Sequence, residues 1–185
     1  MMDKISRNLI YLTGFMGSGK STLGPILANT LGFSFVDVDK EIIRIVGRPI
    51  TDIFSDFGEQ YFRDIEHTLL REVSTRVQTV IALGGGSVTF ERNMTLIRTT
   101  GTLIYLRTDE EQLFKRLNRK NDRPLLRTAD RSITEADQLR QTIKSLITAR
   151  EQFYSQADIT ISTGGKRIGM TVDELVTLLK PYLKL

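Results

Sequence analysis

Eight residues constrain this chain more than any other feature. Gly14-Phe15-Met16-Gly17-Ser18-Gly19-Lys20-Ser21 lies between the apolar run Leu9–Thr13 and a stretch patterned as a helix, Lys20–Leu31. The spacing is G-x-x-x-x-G-K-[S/T]. Glycines let such a loop take positive φ and bring backbone N–H groups against phosphate oxygens. The helix opening at Gly19 aims its positive end at the same anion. Lys20 is expected to bridge β- and γ-phosphates, and the Ser21 hydroxyl to ligate Mg2+. Glycine makes up about 7% of ordinary chains, so a chance match placed between a strand and a helix is rare. The chain is expected to bind a nucleoside triphosphate.

Along the remaining sequence, short β-rich runs alternate with helical patterns. Leu9–Thr13, Ser34–Asp37, Val80–Leu83, Leu103–Leu106 and Ile159–Ile161 read as buried strands. Helices are expected over Lys20–Leu31, Glu59–Thr75, Glu91–Arg98, Glu110–Leu117, Thr134–Tyr154 and Thr171–Tyr182. In the second of these, Phe62, Ile65, Leu69 and Val73 form an amphipathic stripe. Strand–helix alternation argues for an α/β fold, a parallel sheet covered by helices on both faces. There is no internal repeat, low-complexity tract or linker, so residues 1–185 read as one domain. Two stretches exceed a minimal crossover of ~10–12 residues. One is a substrate-binding insertion at about 38–79; the other is the basic segment RKNDRPLLRTADRS, a lid at about 118–132. Excess chain at the carboxyl ends of strands commonly builds the ligand site.

Composition excludes several classes. The chain has 185 residues, 40% hydrophobic and 26% charged, enough for one soluble domain. No apolar run approaches the ~18–20 residues that span a bilayer. No signal core precedes a small-residue cleavage site, so a cytoplasmic location is expected. Cysteine is absent, which removes thiolate nucleophiles and Cys-ligated zinc. A single histidine, His67, argues against His-rich metal sites and reads as structural or surface. The formal charge of +4 comes with a basic cluster, Lys115, Arg116, Arg119, Lys120, Arg123, Arg127 and Arg131. It shows neither a nucleic-acid module nor aromatic interleaving, so no nucleic-acid partner is expected. With no apolar stripe left exposed, a monomer is the expectation.

Three further motifs stand out, two of them at strand ends. Asp37-Val38-Asp39 closes the second strand, where alternate side chains share a face and two carboxylates can project together. They suit Mg2+ and a substrate hydroxyl, or equally the N-cap of a following helix. Arg63 and Glu66 are three apart on a helix, either a surface pair or an Arg fork held from behind for a substrate carboxylate. Gly84-Gly85-Gly86 leaves the third strand, where residues without Cβ let a ligand lie on backbone N–H groups. That strand lacks a terminal Asp, which leaves Asp37 as the carboxylate available to Mg2+.

Together these residues resemble the shikimate kinases. The resemblance runs through GFMGSGKS, DVD, GEQYFRDIE, the GGG after VIAL, RPLL, and REQFY followed by Ala157-Asp158, and covers essentially the whole chain. It implies a three-layer P-loop kinase fold with five parallel strands, and transfer of the ATP γ-phosphoryl to the 3-hydroxyl of shikimate, a step toward chorismate and aromatic amino acids. By position it implies Asp39 as the base that binds the ring hydroxyls, and Asp37 holding Mg2+ through water. Arg63 and Arg150 would clamp the carboxylate, with Gly84, Gly85 and Gly86 lining the pocket. Gly17, Ser18, Gly19, Lys20, Ser21 and Thr22 would hold the nucleotide. Arg123 would arrive with the lid to contact phosphate. Arg119 corresponds to the arginine that stacks on adenine, with Arg116 as the alternative, and Thr163–Lys166 would wall the adenine pocket. Two positions depart from the family pattern: Ile43 where an acidic residue is common, and Ser21 where threonine is frequent. Competing readings are a P-loop kinase for another small carboxylate or a nucleotide, and a non-enzymatic P-loop nucleic-acid-binding or regulatory protein.

Overall fold

The computed structural model describes residues 8–118 and 135–183. Five parallel strands, β1 (Leu9–Thr13), β2 (Ser34–Asp37), β3 (Thr79–Ala82), β4 (Thr102–Arg107) and β5 (Ile159–Ser162), form one sheet in the order β2-β3-β1-β4-β5. The register pairs Leu9 with Thr79, Ile10 with Thr102, Ser34 with Thr79 and Ile104 with Ile159. β1 therefore lies at the centre, and the loop that leaves it opens at the carboxyl edge between β3 and β4. Ligands of open α/β sheets bind in such a crevice.

Alternation along the strands builds two separate cores. On one face Leu9, Tyr11, Ile81 and Tyr105 pack against the helices α2 (Val38–Val46), α3 (Ile50–Val73), α4 (Glu91–Thr100) and α6 (Glu135–Tyr154). On the other face Ile10, Leu12, Val80 and Ile104 pack against α1 (Lys20–Leu31) and α7 (Ile168–Leu179). A third cluster joins Phe15 to Leu113, Phe114 and Leu117 of α5 (Glu110–Asn118) and to Ile143 of α6, so α5 roofs the loop after β1. The result is the expected three-layer α/β arrangement. Among the described residues no helix is long and apolar enough to cross a membrane.

The elements differ from the sequence expectation in three places. The second strand ends at Asp37 as expected, but the two carboxylates do not share it: of the two readings of Asp37-Val38-Asp39 the N-cap holds, the Asp37 carboxylate accepting from the Lys40 N–H at 3.2 Å and starting α2. Asp39 therefore sits in the first turn of a helix. The helix expected from Glu59 is preceded by another, Ile50 to Phe57, and the two meet at Gly58 with φ 80° and ψ 171°. That backbone region is essentially open only to glycine. The last helix starts at Ile168 rather than Thr171 and ends in a 3-10 turn, Lys180–Tyr182.

Candidate active site

The loop after β1 curls round its own lysine. Gly14, Gly17 and Gly19 take φ of 137°, 82° and 107°. The buried Lys20 Nζ donates to the carbonyls of Gly14 (2.6 Å) and Phe15 (3.2 Å). Ser21 and Thr22 follow, exposed, in the first turn of α1. Three buried side-chain polar atoms lack a hydrogen-bond partner among the described residues: Thr13 Oγ1, Ser18 Oγ and Asp37 Oδ2. All three belong to the carboxyl ends of β1 and β2 or to the loop itself. Buried polar atoms are normally satisfied, so their clustering here marks a place for a polar ligand.

The glycine run after β3 packs against three different parts of the site. A Cβ on Gly84 would lie 2.8 Å from Asp39 Oδ1 and 3.0 Å from Glu66 Oε1. On Gly85 it would lie 3.6 Å from Arg150 Nη1, and on Gly86 2.8 Å from Arg63 Nη2. A side chain at Gly84 or Gly86 would have to displace the Asp39 carboxylate or the Arg63 guanidinium, although neither glycine has a positive φ. The run thus brings together Asp39, Arg63 and Arg150 from α2, α3 and α6.

Arg63 is only 8% exposed. Its Nη1 donates to Glu66 Oε2 at 3.0 Å, while Nε and Nη2 reach Glu59 Oε1 at 3.2 and 3.1 Å. The guanidinium lies 4.7 Å from the Phe90 ring and 5.1 Å from the Phe62 ring, contacts that desolvate it and fix its plane. Behind it the fully buried Glu66 also accepts from Ser87 Oγ and, at 3.5 Å, from Asn93 Nδ2. The Asn93 carbonyl oxygen faces His67 Nδ1 at 2.8 Å, so the one histidine props this network and stands outside the cleft lining. Ser87 and Asn93 carried no recognisable signal in the sequence beyond their nearness to the glycines.

A cleft of about 1460 Å3 joins these parts. Its lining includes Gly17, Ser18, Gly19, Lys20, Ser21 and Thr22 of the loop together with Asp37, Asp39, Arg63, Glu66, Gly84, Gly85, Gly86 and Arg150. Arg116 lies on the loop side, where Nη1 donates to the Gly17 carbonyl at 2.9 Å and Nη2 to that of Thr163 at 3.3 Å. Thr163 and Lys166 line the cleft beside it. Ile43, standing where an acidic residue was expected, lines it too. Arg119, Arg123 and nearly all of the expected lid fall outside the described residues.

A family model described as shikimate kinase matches residues 16–180. The chain belongs to the shikimate kinase family. It is 45% identical over 177 residues to a shikimate kinase of Prosthecochloris aestuarii, covering 96% of this chain and 90% of that one. A relative of the same name from Chlorobaculum tepidum is 43% identical, with coverage of 96% and 93%. Among solved structures, shikimate kinase from Bacteroides thetaiotaomicron superposes with a TM-score of 0.86 at 33% identity, covering 95% of this chain and 99% of its own. That from Acinetobacter baumannii, solved in complex with shikimate, gives 0.85 at 34% identity, with coverage of 97% of both. Family membership makes the chain a kinase, and the five-stranded parallel sheet agrees with that of its solved relatives.

Proposed function

We propose that this cleft transfers the γ-phosphoryl of ATP to the 3-hydroxyl of shikimate, giving shikimate 3-phosphate and ADP. The observation that carries this reading is the glycine run, which sets a carboxylate at Gly84 and two guanidinium groups at Gly85 and Gly86 along one wall. A small acceptor with a carboxylate at one end and hydroxyls at the other matches that order of charge. The A. baumannii relative, solved with shikimate, supports the same acceptor.

Arg63 and Arg150 hold the acceptor's carboxylate, and Asp39 accepts hydrogen bonds from its ring hydroxyls. As a carboxylate within reach of the attacking hydroxyl, Asp39 orients it and takes its proton. Lys20 exchanges the carbonyls of Gly14 and Phe15 for the β- and γ-phosphate oxygens. The backbone N–H groups of Gly17 through Thr22 receive the rest of the triphosphate charge. Phosphoryl transfer asks a protein for position and fixed charge more than for covalent help. We assign the adenine to Arg119 or Arg116, the latter already bridging Gly17 and Thr163, and phosphate contact to Arg123 of the lid at about 118–132; residues 38–79 serve as the acceptor-binding insertion.

Mg2+ fits the residues present. The unpartnered, buried Asp37 Oδ2 and the exposed Ser21 hydroxyl are oxygen donors at the mouth of the loop. No group of three or more His, Cys, Asp or Glu among the described residues could hold a metal, which suits an ion that keeps several waters and binds largely through phosphate. When bound, Mg2+ supplies charge neutralisation of the triphosphate.

Product analysis tests the assignment. Incubation with shikimate and Mg-ATP is expected to yield a single phosphate ester on the 3-oxygen, read by phosphorus and proton NMR. Release of inorganic phosphate without ester, or an ester at another hydroxyl, contradicts it.

A further inference from the structure

Arg150 and Tyr154 stand four residues apart on α6, so both lie on one helix face. Both reach the same atom. The Tyr154 hydroxyl donates to the Gly85 carbonyl at 2.6 Å, and Arg150 Nη1 approaches that carbonyl at 3.4 Å. Tyr154 is fully buried and its ring stacks on Tyr105 of β4, with centroids 5.0 Å apart. Tyr105 is held in turn through its hydroxyl, which donates to Glu151 at 2.8 Å. The tyrosine is thus a rigid post, whereas the Arg150 contact with the carbonyl is at the limit of hydrogen bonding, and the guanidinium rests against the Tyr154 hydroxyl as well.

The direction of one carbonyl decides the direction of the next amide. No peptide among the described residues is cis, so the Gly86 N–H points opposite to the Gly85 C=O. With that oxygen tied to α6, the Gly86 N–H is turned away from the helix, and no described residue accepts from it. Glycines on both sides give this peptide no side chain of its own to fix its plane. The fixing group has to come from elsewhere, and the Tyr154 hydroxyl is the short contact available.

We propose that Tyr154 is a positioning residue for the acceptor: by tying the Gly85 carbonyl to α6, it presents the Gly86 N–H to the bound acceptor and sets the rest position of Arg150. Tyr154 touches no substrate itself and acts through the glycine run. The proposal rests on the reading of this cleft as the acceptor site.

The test is Tyr154→Phe, which removes one oxygen and leaves the ring stack in place. The expected result is a rise of about fivefold or more in KM for shikimate, with KM for ATP unchanged. Tyr105→Phe is the companion: it removes the Glu151 bond, leaves the Tyr154 hydroxyl, and is expected to lower the melting temperature without moving KM for shikimate. Unchanged kinetic constants in Tyr154→Phe, equal rises in both KM values, or failure of that variant to fold would each overturn the proposal in favour of a packing role. A rise in KM for shikimate in Tyr105→Phe equal to that of Tyr154→Phe would overturn it as well. If the wild-type protein does not phosphorylate shikimate at all, the functional reading fails and is recognised separately, before any variant is made.

Discussion

Arg63 stands between two carboxylates of opposite character: the Glu66 side chain is fully buried, while that of Glu59 is 60% exposed. Three donors are engaged by these partners, which leaves one N–H on each terminal nitrogen for an incoming carboxylate. Glu66 cannot leave, since a buried charge stripped of its partner is strongly destabilising. Glu59 can. Lysine keeps the charge but has no planar fork, so Arg63→Lys is expected to raise KM for shikimate about tenfold or more and to spare KM for ATP. Parallel loss of both ligands in titration calorimetry would mean that the change had disturbed the fold. Where charge moves during transfer, a preorganised group contributes about 3–4 kcal/mol to the transition state. Lys20→Ala and Asp39→Asn are therefore each expected to lower kcat a hundredfold or more while melting within a few degrees of the wild type. Near-normal turnover of Asp39→Asn would remove Asp39 from the role of base.

Among the elements, Gly58 sets the angle between the helix Ile50–Phe57 and the helix that carries Arg63. Its φ of 80° with ψ of 171° costs a residue with a Cβ about 1–3 kcal/mol. Gly58→Ala is expected to lower the unfolding free energy measured in urea by that amount, and an unchanged value would mean that the kink relaxes freely. The strands and the Arg63 helix were legible in the sequence because their apolar periods are clean. Residues 38–57 were legible only as the helix-cap alternative at Asp37 or Asp39. α2 begins where Asp37 turns from strand residue to helix cap, a switch that depends on one hydrogen bond to Lys40. Of the helix before Gly58, Ile53 is the buried residue, with Ile50 and Phe54 packed at the core's edge, too little for a readable stripe. The residues carrying charge to the cleft were legible through their motifs. Tyr154, Ser87 and Asn93 were not, since their partners lie 69, 21 and 27 positions away. The stacked pair Tyr105–Tyr154 also ties β4 to α6 in a pH-dependent way. Burial pushes both hydroxyls above the ordinary tyrosine value of 10.0, and the hydrogen bond to Glu151 pushes Tyr105 further. Below that value folded and unfolded chains both keep these protons. Above it the unfolded chain releases them first, so stability falls as pH rises. Urea midpoints between pH about 9 and about 11 are expected to decline, and to decline less in Tyr105→Phe; equal slopes would contradict the account.

At the scale of the whole molecule, one sheet edge collects what four helices carry. α1 brings Lys20, α2 brings Asp39, α3 brings Arg63 and α6 brings Arg150, and the central β1 places the phosphate loop among them. The two cores on opposite faces of the sheet hold these helices independently, so the cleft is the region common to both. It gathers Lys20 and the loop N–H groups, the carboxylates of Asp37 and Asp39, and the guanidinium groups of Arg63 and Arg150. The proposed reading is a triphosphate at the loop, a hydroxyl at Asp39, and a carboxylate at Arg63 and Arg150. The measurement that tests it most directly is ADP release with Mg-ATP and each of shikimate, quinate, gluconate, AMP or no acceptor. Turnover with shikimate is expected to far exceed that with every other acceptor, and release without one to be slow. Equal or faster turnover with gluconate or AMP, or rapid release with no acceptor present, would contradict it.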